Sequence, residues 1–201
     1  VRDNALAISG LLSTKMHGPP IYPPQPSGIW RHVGRNAPKY IAATNEDRFR
    51  RGVYVVWRRG APYVSFMNFD APDRGACVVR RARTNTPLQA LTLLNDEAYI
   101  EMAIAFAGRI LNEAKGTPDA KINYAYKTAL CRSPRATETI YLKKLLLKRR
   151  THFERNPKEA DLLISGAKGW NPPEGMDKGE LAAWFFIANI LLNLDETITK
   201  S

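Results

Sequence analysis

The spacing of apolar and polar positions divides the chain into a string of helical segments with one long irregular interruption. In "RDNALAISGLLSTK" (2–15), Leu6, Ile8, Leu11 and Leu12 are the apolar positions and Asp3 stands where an N-cap belongs, which predicts a short helix ending near Lys15. "EAYIEMAIAFAGRILNEA" (97–114) puts Ile100, Ala103, Ile104, Ala107, Ile110 and Leu111 on one face. Further helices are expected at about 119–131, 136–153, 157–167 and 177–194, separated by "CRSPRA", "ERNP" and "GWNPPEGM". Within the last of them, "ELAAWFFIANILLNLDE" (180–196) is apolar nearly all round and is the expected central core helix. The stretch 166–176 reads mainly as a turn, with closure over something as the alternative.

Between the first helix and residue 97 the helical period is broken. "MHGPPIYPPQPSGIW" (16–30) holds five of the 14 prolines, each of which fixes its own backbone and biases the preceding residue away from helix. The segment must be extended or turned, with Tyr22 and Trp30 as anchors against the body. "TNEDRFRRGVYVVWRRG" (44–60) supports two readings: its valines suggest a strand, while Phe49, Val53, Val56 and Trp57 follow a helix face. Asn45 or Thr44 as cap, Glu46 and Asp47 in a first turn, Arg58 and Arg59 in a last turn and Gly60 beyond favour the helix, against about 1 kcal/mol for Gly52 inside it. Residues 61–79 read as a loop with a short element near Val64 to Phe69.

At Thr86-Pro87-Leu88-Gln89 the pattern sharpens. A Thr cap, a Pro at the first helical position and a Gln at the third make a capping box, so a helix should begin at Pro87 and run to Asn95-Asp96, which caps the next one. The expected fold is therefore mainly α: a helical, bundle-like domain with a proline-rich extended N-terminal segment and an irregular central loop region. Its portions are 1–43, an arginine-rich 44–96 and a helical 97–201.

Charge adds one thing to this picture. Of the formal +11, residues 31–83 carry 12 Lys plus Arg against 4 Asp plus Glu. Such a concentrated field attracts anions, and the dominance of arginine favours forked, geometrically fixed contacts. Three arginines, Arg80, Arg81 and Arg83, stand just before the α-helix that begins at Pro87, where the helix end is itself partly positive. Clustering them there calls for a carboxylate or an anionic ligand nearby. Arg58, Arg59 and Arg74 are the other candidates, with the Thr84-Asn85 backbone aiming N–H groups at the same place. Pairing with carboxylates of a preceding domain is the competing explanation, because the chain opens inside a helix without an initiating Met and is expected to be a piece of a longer polypeptide.

The chemistry of known motifs is missing. No stretch of 18 apolar residues spans a membrane, and no G-x-S-x-G, P-loop or G-x-G-x-x-G is present. His17, His32 and His152 lack metal-ligand spacing and are expected on the surface or at caps, so no metal site is expected. Cys77 and Cys131 either form a single bridge or remain separate small side chains, and neither lies in C-x-x-C-H, the attachment sequence of haem c. Asp70 and Asp73, in "FDAPDR", are the best candidates for a catalytic carboxylate pair, although the arginines around them favour structural ion pairing. Tyr54, Trp57, Tyr63 and Phe66 interleave the basic segment as stacking groups would, but they fall on buried-looking positions, and core packing is preferred to nucleic-acid binding.

"SGLLSTKMHGPPIYPPQPSGIW", "FRRGVYVVWRRGAPYVSFMNFDAPDRGACVVRRARTNTPLQALTLLND" and "ELAAWFFIANILLNLDE" together resemble the planctomycete-type family called domain of unknown function 1553. The resemblance implies the C-terminal part of an exported multidomain protein in the periplasm or at the cell surface, with a c-type cytochrome domain among its upstream partners. Haem c is then expected on that other domain. The resemblance also suggests sulfated or acidic polysaccharide as an anion for the arginines. It implies no reaction, and the expected role is an accessory, non-catalytic domain with an anion-binding or interdomain docking surface. The competing expectations are a polysaccharide-active enzyme and a structural scaffold for the cytochrome domain.

Overall fold

The computed structural model describes residues 1–32, 39–80, 82 and 84–199, and among them the chain forms nine α-helices and no β-strand, only two isolated parallel bridges. The helices are α1 (Arg2–Ser9), α2 (Val64–Asn68), α3 (Pro87–Asn95), α4 (Glu97–Glu113), α5 (Pro118–Leu130), α6 (Ala136–Arg155), α7 (Pro157–Ile164), α8 (Lys178–Leu192) and α9 (Asp195–Ile198). The mainly α expectation holds.

The most extensive helix pairing is α4 against α8, with α6 and α7 along α8 and α1 across α4. Composition explains the closeness. Ala103, Ala105 and Ala107 of α4 and Ala182, Ala183 and Ala188 of α8 are all buried, which brings the two backbones near one another. Around them Leu181, Trp184, Ile187 and Leu191 are buried, so the all-round apolar run is the core helix the pattern predicts. The buried Trp184 indole N–H donates to Glu180 Oε1 at 2.7 Å, and Arg150 Nε donates to the other oxygen at 2.7 Å. A polar atom carried into the core is thereby satisfied.

Helix α1 departs from expectation at both ends. It starts at Arg2, so Asp3 lies inside its first turn and accepts the Gly52 N–H instead of capping. It stops at Ser9 because Gly10 takes a left-handed φ of 77°, and Arg109 then donates to the exposed carbonyls of Ala7 and Ile8. A cation on those carbonyls suits the negative end of the helix.

The helix expected over 44–60 does not form. Asn45 does cap, accepting the Asp47 N–H, but the turn it starts is a 3₁₀ turn that ends at Phe49; a second covers Gly52–Tyr54, and the segment closes in a turn at Arg59–Gly60. The reason lies in the proline-rich segment, which cannot bond to itself. Ile21 N–H donates to Tyr54 C=O and Val56 N–H donates to Ile21 C=O, while Ser13 N–H donates to Phe49 C=O. These long-range bonds use backbone groups that a helix would have kept. Tyr22, Trp30 and Tyr40 pack edge to face at 5.0–6.1 Å, so the two expected anchors do hold the segment.

Candidate functional site

Segment 44–60 is fastened by arginines that reach inward. Arg2 donates to the carbonyls of Arg50 and Arg48 at 2.8 and 2.9 Å, and Arg48 Nε meets Glu101 Oε2 at 2.7 Å. Arg50 is fully buried, with its guanidinium over the Tyr54 ring and a donor to the His17 carbonyl. The central positive segment is thus two populations of arginine, and the buried one was not separable in sequence. Arg48 and Arg50 sit two residues apart, as solvent-facing arginines also do.

The outward population is the predicted one. Arg58 lies over the Trp30 ring at 5.0 Å and Arg74 over the Trp57 ring at 4.7 Å. Arg59 reaches the Arg74 carbonyl at 3.5 Å, and Arg80 is exposed. Among the described residues none of these four pairs with a carboxylate. Arg81 and Arg83 lie outside the described residues, as does the side chain of His32. His17 is exposed, and His152 meets Glu159 at 2.8 Å.

Asp70 takes a role that its sequence neighbourhood conceals. At φ 56° it accepts both the N–H and the hydroxyl of Thr84, at 2.9 and 2.8 Å. Gln89 Nε2 donates to the same Thr84 hydroxyl, and Gln89 with Thr86 completes the predicted capping box of α3. The Thr84 N–H, expected to face an external anion, is therefore taken by an internal carboxylate; Asn85 is exposed. Asp73 accepts the Gly75 N–H at 2.8 Å. The ion pairs expected of Asp70 and Asp73 with Arg74 or Arg80 are not made, and neither aspartate lines the cavity that Trp57, Phe66 and Phe69 border.

Asp70→Ala is expected to lower stability by about 1.5 kcal/mol, since it removes two bonds to a charged acceptor and puts Ala at a left-handed backbone position. Asp70→Asn, which tolerates that backbone and keeps an acceptor, should lose less than half as much in urea melts. Equal losses would mean that the carboxylate charge alone matters.

Two surface features stand out beside this network. One is a cavity of about 420 Å³ where α1, α2 and α4 meet the Gly52–Trp57 stretch. Trp57, Phe66 and Phe69 line it, and Tyr99 and Ser65 share a 2.8 Å hydrogen bond at its wall. Burial pushes the Tyr99 hydroxyl well above the usual tyrosine range and Tyr63 up to about 12, so both stay protonated. The other is the outer face of α3, where Leu88, Leu91 and Leu94 are 56%, 55% and 42% exposed in a helix that contains no charged residue. A surface helix ordinarily turns charge outward, so "PLQALTLLN" carried this signal in sequence.

Cys77 and Cys131 are both free and exposed, so the bridge left open by sequence is not formed. Among the described residues no three His, Cys, Asp or Glu side chains gather to hold a metal, and no helix is long and apolar enough to cross a membrane.

A family model described as "Protein of unknown function (DUF1553)" matches residues 1–146. The chain belongs to this family. Within the DUF1553 match lie α1 to α5, the proline-rich segment, the buried arginines, the cavity and the α3 face, whereas α7 to α9 fall beyond it. No curated protein and no solved structure matches the chain.

Proposed function

We propose that this DUF1553 domain is an accessory, non-catalytic part of a larger exported polypeptide and docks onto a neighbouring domain of that polypeptide through the outer face of α3 and its flanking arginines. The exposure of Leu88, Leu91 and Leu94 on an uncharged helix is the observation that carries this reading. Burying a large aliphatic side chain is worth roughly 1.5–3 kcal/mol, so three half-exposed leucines are a substantial incentive to association. Arg80 at the approach to the helix supplies a fork for carboxylates at the rim of such an interface. Self-association is the weaker alternative because copies at +11 repel one another.

In this reading the neighbour carries the c-type haem, and the assembly works in the periplasm or at the cell surface. The non-catalytic assignment is supported by Asp70 and Asp73, whose carboxylates serve Thr84 and Gly75 and do not face the cavity. The test is isothermal calorimetry between this chain and the separately produced region that precedes it in the full-length protein. Leu91→Asp, confirmed as helical by circular dichroism, should weaken binding about tenfold or more. Unchanged affinity in that variant would exclude the α3 face.

A further inference from the structure

We infer that the cavity beneath Trp57 is a binding site for a small organic anion built on a six-membered ring, independent of the α3 docking face. Its charge sets the sign of the ligand. Asp3 is held by both of its oxygens on the Gly52 N–H, at 2.7 and 3.0 Å, and lies 3.4 Å from Arg2, so these two charges offset one another. Arg74 adds a positive charge to the lining, with no carboxylate partner among the described residues. A carboxylate or sulfate is what its fork accepts best.

The walls set the shape. Trp57 and Phe66 stack at 6.3 Å with their planes 20° apart, and Phe69 extends the aromatic surface toward Tyr99. Flat rings of this kind accept the apolar face of a sugar or another ring, and the volume of about 420 Å³ falls in the range of small-ligand sites. Gly52 keeps the rim low, since a Cβ there would stand 3.1 Å from the Phe66 ring and 3.2 Å from Asp3.

A sugar acid and an aromatic acid share this chemistry, and the experiment separates them. The 201-residue chain is titrated by calorimetry with glucuronate, with benzoate, and with their neutral counterparts glucose and benzyl alcohol. At least one acid should bind saturably and about tenfold or more tightly than its neutral counterpart, and Arg74→Gln should remove that preference. Ala71→Phe, which narrows the cavity but leaves Arg74 in place, should abolish binding, while Leu91→Asp should not affect it. Saturable binding of glucuronate alone identifies a sugar acid, and of benzoate alone an aromatic acid. Binding that ignores both Arg74→Gln and Ala71→Phe in folded protein, or no saturable binding of either acid, overturns the proposal.

Discussion

Glu101→Ala is expected to destabilise the protein by about 3–5 kcal/mol, enough to unfold a large fraction of a marginally stable chain. Glu101 is 1% exposed on α4, and one oxygen takes Arg48 Nε at 2.7 Å while the other takes the Gly169 N–H. Removing the carboxylate strands the guanidinium of Arg48, itself 5% exposed, with only Glu97 at 3.6 Å and the Ala43 carbonyl at 3.3 Å as weaker partners among the described residues. It also removes one of the ties between the 166–176 loop and α4. The pair as a whole need not be stabilising, because desolvating two charges costs about as much as their attraction returns. Arg48→Met with Glu101→Leu should therefore recover most of the loss, and urea unfolding of the two variants measures the difference. A single-variant loss below about 1 kcal/mol would show that water reaches Arg48.

Gly108→Leu should cost about 3 kcal/mol in the same assay, against the trend that leucine favours helices over glycine by roughly 0.8 kcal/mol. A Cβ at Gly108 would lie 2.5 and 2.6 Å from Trp170 Cη2 and Cζ2, so the indole must leave the face of α4. The cause can be isolated in a Trp170→Ala background, where the clash is gone and the same substitution should cost far less. Equal costs in both backgrounds would place the strain elsewhere in α4. The stretch 166–176 is turn-rich, as its Gly and Pro indicate, and Trp170 seats it in a glycine notch of α4.

The outer parts of the candidate site were legible where local chemistry decides them. Thr86, Pro87 and Gln89 form the capping box they spell, because a cap needs only residues within one turn. Arg58 and Arg74 were candidates from their place in the basic segment, but their seats over Trp30 and Trp57 depend on rings 28 and 17 positions away. Asp70 looked like a catalytic or ion-paired carboxylate because arginines dominate its neighbourhood. It instead bonds Thr84, fourteen residues on, through a left-handed turn that composition does not reveal. The exposed leucines of α3 were readable as a missing polar face, and the cavity was not readable at all, since its walls come from α1, α2, α4 and two loops.

By itself the sequence determined the helices from α3 to α8 to within a few residues, the caps that open α3 and α4, the burial of α8 and the membership of the family, all of which rest on short-range periodicity and contiguous motifs. Tertiary structure decided the rest. Segment 44–60 has helical spacing and helical ends, yet its backbone bonds go to Ser13 and Ile21, and Arg48 and Arg50 go inward to Glu101 and the His17 carbonyl. A helix there would have satisfied its own backbone but left the proline-rich segment without partners and Glu101 without a cation. Long-range satisfaction of buried polar groups outweighed a local preference worth only a few tenths of a kcal/mol per residue.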